Sequence, residues 1–184
     1  MILPILAYGS SMLRKEAEYI DSDYPNLSSV IADMYETMYH AKGVGLAAPQ
    51  IGLPINLFII DSEQMEKDDS DIEPIKQTFI NFEIVELLGE NTTYSEGCLS
   101  IPGINEDIVR KESVKVWYQD ENFVEHEKIY TGMPARIIQH EYDHLVGKTF
   151  VDKLSSLKRT LLKGKLRDIS AGKVDIKYKI KPSI

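Results

Sequence analysis

Apolar positions recur along this 184-residue chain with two periods. Leu27, Val30, Ile31, Met34 and Met38 fall three or four apart, which predicts an amphipathic helix over 27–39, with Asn26 or Ser28 able to cap its start. Met133–Val146 reads as a second helix, with Pro134 suited to its first turn and Gly147 placed to stop it. Over 154–169, Leu154, Leu157, Leu161, Leu162, Leu166 and Ile169 predict a third helix with one buried side. Strand-like runs lie between and after these helices. Ile55–Ile60 and Thr78–Leu88 are rich in β-branched and aromatic residues. Ser113–Tyr118 alternates, and so does Val174–Ile180, a short edge strand whose lysines would discourage further pairing. Asp61–Glu73 is acidic with few apolar side chains and predicts a solvated loop. Irregularly spaced strands with helices grouped toward the ends predict an α+β fold, in one domain spanning 1–184.

Composition narrows the class. The 43% hydrophobic content is ordinary for a globular protein, and no apolar run approaches the length of a membrane span. The apolar opening Met1–Ala7 lacks a basic leader and does not read as a secretory signal. The only cysteine, Cys98, cannot form an internal disulfide, which favours a reducing, cytoplasmic setting. A net charge of −8 argues against a simple nucleic-acid binder, but the charge is uneven. Residues 158–184 hold nine Lys/Arg against Asp168 and Asp175, a net +7 that leaves −15 for the rest. A basic tail on an acidic body points to an anionic partner for the tail.

The strongest chemical signal is His140-Glu141-Tyr142-Asp143-His144, the pattern H-E-x-x-H. On a helix the two histidines share a face one turn apart and can reach one metal ion, with Glu141 beside them. A catalytic metal needs a third protein ligand and an open position. No third histidine lies downstream, since the others are His40 and His126, and Cys98 is the remaining soft donor. Cys/His/His donors suit both Fe(II) and Zn(II). Gly43-Val44-Gly45 permits unusual backbone angles or a close approach by a ligand.

Three segments resemble the signature motifs of the bacterial-type peptide deformylases: Gly43-Val44-Gly45-Leu46-Ala47-Ala48-Pro49-Gln50, Glu96-Gly97-Cys98-Leu99-Ser100 and Gln139-His140-Glu141-Tyr142-Asp143-His144. The resemblance covers about residues 1–155. It implies an enzyme that removes the N-formyl group from the initiating methionine of new polypeptides and releases formate. Cys98, His140 and His144 then correspond to ligands of one divalent metal, Fe(II) in the cell, with Zn(II) or another divalent ion possible in purified protein. Glu141 corresponds to the acid/base, Gln50 and the backbone N–H of Leu99 to oxyanion stabilisers, and the Val44 and Gly45 backbone to the strand that pairs with substrate. The implied architecture is antiparallel strands around a central metal-binding helix, with a C-terminal helix.

Further expectations attach to these motifs. Val44, Tyr94, Leu99 and Ile137 are expected to form an apolar methionine pocket. Glu96 and Arg110 are expected to form an ion pair bracing the Cys98 loop. Asn105 stands where some family members carry a substrate-facing Arg. Partners would be N-formylmethionyl nascent peptides and, through the basic tail, ribosomal RNA, with no membrane. Deleting residues 171–184 would then weaken ribosome binding and spare turnover of a tripeptide. Two other readings remain open: a zinc endopeptidase, which the Cys98 and Gln50 motifs oppose, and a non-catalytic metal-stabilised module, which leaves Glu141 and Gln50 without a purpose.

Overall fold

The chain opens with the short strand β1 (Ile5–Leu6), followed by helix α1 (Leu27–His40). Five further strands then succeed one another: β2 (Gly45–Ala47), β3 (Leu57–Asp61), β4 (Lys76–Cys98), β5 (Ile101–Gln119) and β6 (Glu125–Thr131). They form one antiparallel sheet in the order β2-β3-β4-β5-β6. Helices α2 (Gly132–Leu145) and α3 (Ser156–Ser170) follow, and β7 (Ile180–Lys181) returns to pair in parallel with β1. This computed structural model describes residues 1–65 and 73–183. It is the α+β arrangement that the patterning predicts, with α2 at its centre.

The sheet has apolar cover on both faces, which explains the unbroken apolar run of β3. Phe58 and Ile60 face α2 and join Phe79, Phe82 and Ile138, while Leu57 and Ile59 meet Ile31, Met34 and Met38 of α1. Phe58 stacks on Phe79 at 4.7 Å and meets Phe82 edge-on at 4.9 Å. Eleven of the fourteen α2 residues are buried, so its polar side chains must find partners inside the protein.

Several expectations need correction. The strand expected over Thr78–Leu88 continues to Cys98, through register shifts after Ile80, Ile84, Leu88 and Glu96. Residues 83–95 are mostly exposed, so no apolar periodicity marks them. The edge strand β6 is rich in charge and carries no core pattern either. Asn26 begins α1 with φ of 57° but makes no side-chain cap. α3 begins at Ser156 because Ser155 caps it, accepting from the Lys158 amide. Leu157 and Leu161 are 68% and 74% exposed, so the leucine stripe outruns the surface available to bury it. Asp61 is no solvated loop residue: it closes β3, is buried and accepts from the Tyr39 hydroxyl at 2.6 Å. Of that acidic stretch, Ser62–Gln64 form one 3-10 turn, and residues 66–72 lie outside the described residues. In the tail, strand pairing is confined to Ile180–Lys181, and Val174 and Tyr178 before it pack on the body. The tail is therefore no free extension, and removing 171–184 would disturb more than its lysines.

Candidate metal centre and cleft

The inward face of α2 carries both histidines. His140 and His144 lie one turn apart, with ring centroids 5.2 Å from each other. The tight turn from β4 to β5 brings Cys98 opposite them, its Sγ 3.4 Å from His144 Nε2. The ligand atoms of Cys98, His140 and His144 all lie within 4.8 Å of one another. One thiol and two imidazoles at this separation could hold a divalent ion through three protein ligands.

The surroundings fit such an ion. His140 Nδ1 is 2.9 Å from Glu96 Oε2, which fixes the ring and leaves Nε2 for the centre. Burial opposes charge on both rings and holds the pKa of His144 well below its ordinary value. At His140 burial is outweighed by the Cys98 sulfur and the Glu96 carboxylate, which push its pKa up to about 10. A proton on His140 and a metal would therefore compete for the same place.

Glu96 is the hub of the support. It accepts from Arg110 Nε at 2.7 Å, Arg110 Nη2 at 2.9 Å and Arg136 Nη1 at 2.8 Å. Arg110 also reaches Asp143 at 2.9 Å, so it ties the Cys98 hairpin to α2. Burial alone would raise the Glu96 carboxyl, but hydrogen bonds from His140 and Arg110 hold it far below the usual carboxylate range. Sequence reasoning missed Arg136. Its position four residues before His140, on the same helix face, was the available signal.

Glu141 is buried, and its Oε2 has no hydrogen-bond partner among the described residues. Burial pushes its carboxyl up to about 7 against the opposing pull of His140 and Arg110. Two glycines make room for the centre. A Cβ on Gly45 would lie 2.4 Å from Glu141 Oε1, and one on Gly43 would lie 2.7 Å from Leu99 Cδ1. The group that approaches each glycine is a side chain from another motif. Gln50 is anchored by its Oε1, which accepts from the Ala47 amide at 2.9 Å. Its Nε2 points at Ser100 Oγ, 3.2 Å away, and Cys98 Sγ, 3.5 Å away.

A cavity of about 440 Å³ opens over these groups. Val44, Gly45, Tyr94, Leu99 and Ile137 all line it, as does Asn105. Tyr94 is 43% exposed and stands at the rim, with the Arg136 guanidinium 5.7 Å from its ring centroid. The Val44 carbonyl accepts from the Asp61 amide and so faces β3, which turns the Gly45 main-chain groups toward the open sheet edge. Ile176 and Tyr178, from the tail, also line the cavity and were not among the sequence candidates. The alternation of 174–180 was visible, but not the surface against which it would fold.

Comparison with known proteins agrees with this geometry. The family model for polypeptide deformylases matches residues 2–160. Peptide deformylases from Christiangramia forsetii and Flavobacterium johnsoniae are 49% and 50% identical, each match covering 98% of this chain and 96% of the relative. The crystal structure of a peptide deformylase from Legionella pneumophila superposes with a TM-score of 0.82 at 39% identity, covering 94% of this chain and 98% of that one. The chain belongs to the peptide deformylases, metal-dependent hydrolases that remove the formyl group from N-formylmethionine peptides.

Proposed function

We propose that Cys98, His140 and His144 hold the divalent ion on which this deformylase depends, and that Glu141 carries the proton. The observation that supports this most is the convergence of the three donor atoms within 4.8 Å next in sequence to the buried Glu141, whose Oε2 has no partner among the described residues. When bound, the metal supplies Lewis acidity and makes water more acidic. Glu141 accepts a proton from the water that attacks the formyl carbon. The same carboxyl returns that proton to the amine nitrogen as the C–N bond breaks and formate leaves. A carboxyl raised to about 7 by burial suits both directions of transfer. Gln50 Nε2 and the Leu99 N–H donate to the oxyanion, and one such donor contributes about 3–4 kcal/mol at the transition state.

The peptide adds to the open edge of β2, with Gly45 supplying main-chain groups and Val44 shaping the strand. Val44, Tyr94, Leu99 and Ile137 receive the methionine side chain, with Tyr94 at its solvent side. Glu96 and Arg110, with Arg136, hold the Cys98 turn against α2. We take the ion in the cell to be Fe(II), with Zn(II) or another divalent metal able to replace it in purified protein. The lone cysteine, with no disulfide to protect it, suits the reducing cytoplasm. No helix of the described residues is long and apolar enough to cross a membrane. Residues 1–184 work as one catalytic domain, since β7 closes on β1.

The exposed Lys173, Lys177 and Lys179, together with α3, present the positive charge of the tail to ribosomal RNA. Reversing these lysines to Glu weakens ribosome co-sedimentation and flattens its salt dependence in this reading; unchanged co-sedimentation contradicts it. The metal assignment is tested with anaerobically prepared protein. The native chain should carry about one ion and release formate from a formyl-Met tripeptide, and Cys98→Ala should lose both. A Cys98→Ala variant with full metal occupancy would overturn the assignment.

A further inference from the structure

Residues 173–180 alternate in exposure as they alternate in polarity. Val174, Ile176, Tyr178 and Ile180 are half-buried, and Lys173, Asp175, Lys177 and Lys179 are exposed. The half-buried side meets the reaction cleft. Ile176 and Tyr178 line the same cavity as Cys98, His140 and Glu141. The Tyr178 hydroxyl donates to the Leu99 carbonyl oxygen at 2.7 Å, and its ring packs in the cluster that includes Leu99. Val174 and Ile180 pack in the cluster that includes Cys98.

The segment is tied at both ends. After α3 the Lys173 amide donates to the Asp168 carbonyl at 2.8 Å. At the far end the Ile5 and Ala7 amides donate to the Lys179 and Lys181 carbonyls, each at 2.9 Å, and the Ser183 amide donates to Ser170 O at 2.8 Å. A strap held this way presents Tyr178 in one place. Its target is the two-residue turn between β4 and β5, which carries the metal cysteine on one side and the Leu99 N–H within it. An oxyanion donor acts through preorganisation, so whatever fixes this turn bears on the rate. The turn is also held by the Tyr8 amide, which donates to Ser100 O at 2.9 Å and fixes the next peptide, and by Gln50 Nε2, 3.2 Å from Ser100 Oγ.

We infer that the strap 173–180 is a working wall of the cleft, in which Tyr178 is a positioning residue for the Leu99 amide and Ile176 contacts the apolar side chain that follows methionine in the substrate. The Tyr178 role rests on the reading of Leu99 as an oxyanion donor. The phenol touches the carbonyl of the turn and acts on the reaction through it. Ile176 adds an apolar surface that a substrate ending at methionine does not need. The basic residues of the strap point away from the cleft, so recognition of an anionic partner and recognition of the peptide occupy opposite sides of one segment.

Tyr178→Phe keeps the ring and removes the hydrogen bond. In metal-loaded full-length protein it should lower kcat roughly fivefold, the rate factor of one neutral hydrogen bond, with KM for a formyl-Met tripeptide within twofold. Amide exchange in the 98–101 turn, read by mass spectrometry, should quicken in the same variant. Unchanged exchange would overturn the positioning role. Faster exchange with unchanged kcat would overturn the Leu99 reading instead and remove the catalytic consequence. Ile176→Ala should raise KM roughly fivefold for formyl-Met-Leu peptides while leaving formyl-Met-Gly peptides within twofold. Equal effects on both would remove Ile176 from the peptide site.

Discussion

Gly45→Ala puts one methyl group where the Glu141 carboxylate now sits. The added Cβ would lie 2.4 Å from Oε1, 2.8 Å from Cδ and 3.0 Å from Cγ of Glu141, so rotating the carboxyl alone gives no relief. To regain the 3.4 Å at which ordinary contact begins, the carboxylate must retreat by about 1 Å. A misplacement of that size in a reacting group costs about 10²-fold in rate, or about 2.7 kcal/mol at the transition state. Overpacking should cost a further 1–3 kcal/mol or so of folding stability. The assay is kcat from formate release, with metal content and urea unfolding measured on the same preparation. The companion Gly43→Ala meets Leu99 Cδ1, the free end of a flexible side chain, at 2.7 Å, and should cost less than about tenfold. A Gly45→Ala enzyme with full metal and kcat within threefold of the native value would show that Gly45 does not set the place of Glu141. So would a Gly43→Ala enzyme equally impaired, because the loss would then not come from displacing Glu141.

Other outcomes test different parts of the site. Arg110→Ala leaves Glu96 and Asp143 buried with one less cation and should destabilise the protein by about 3–5 kcal/mol in urea unfolding; a loss below about 1 kcal/mol would show that the pair is not structural. Gln50→Ala should lower kcat by about 10²–10³ with little change in KM, and an equal rise in KM would identify Gln50 as a binding group instead. Asp152 is held below its ordinary pKa: burial would raise it, but Arg14 and the Thr149 amide prevail. A depressed carboxylate contributes stability in full above its unfolded pKa of about 4, and that stability is lost as pH falls through its folded value. Because both partners are partly exposed, the contribution is discounted to about 1 kcal/mol. Asp152→Asn should therefore lower the melting temperature at pH 7 and much less at pH 2–3; an equal loss at both would contradict the linkage.

Legibility in the sequence followed burial. The two histidines could be read because an α-helix fixes where residues four apart stand, and Cys98 because one soft donor was left to complete the set. Phe58 and Ile59 announced β3 because both faces of that strand are covered. The outer half of β4 and all of β6 carry mostly exposed side chains, so nothing periodic marked them. Leu157 and Leu161 show the reverse case, a helical stripe that continues beyond its contact surface. Arg136 and Tyr178 stayed hidden for another reason. Each acts through a long-range contact, with Glu96 forty residues away and Leu99 seventy-nine away, and local pattern holds no record of chain return.

In the proposed site three donors hold one metal while Glu141 moves the proton. Glu141→Gln separates the two roles, since it keeps the shape of the side chain and removes its basicity. The variant should bind about one divalent ion per chain, as the native protein does, and lose at least about 10²-fold in formate release from a formyl-Met tripeptide. A metal-loaded Glu141→Gln enzyme that keeps a tenth or more of native turnover would show that Glu141 does not carry the proton.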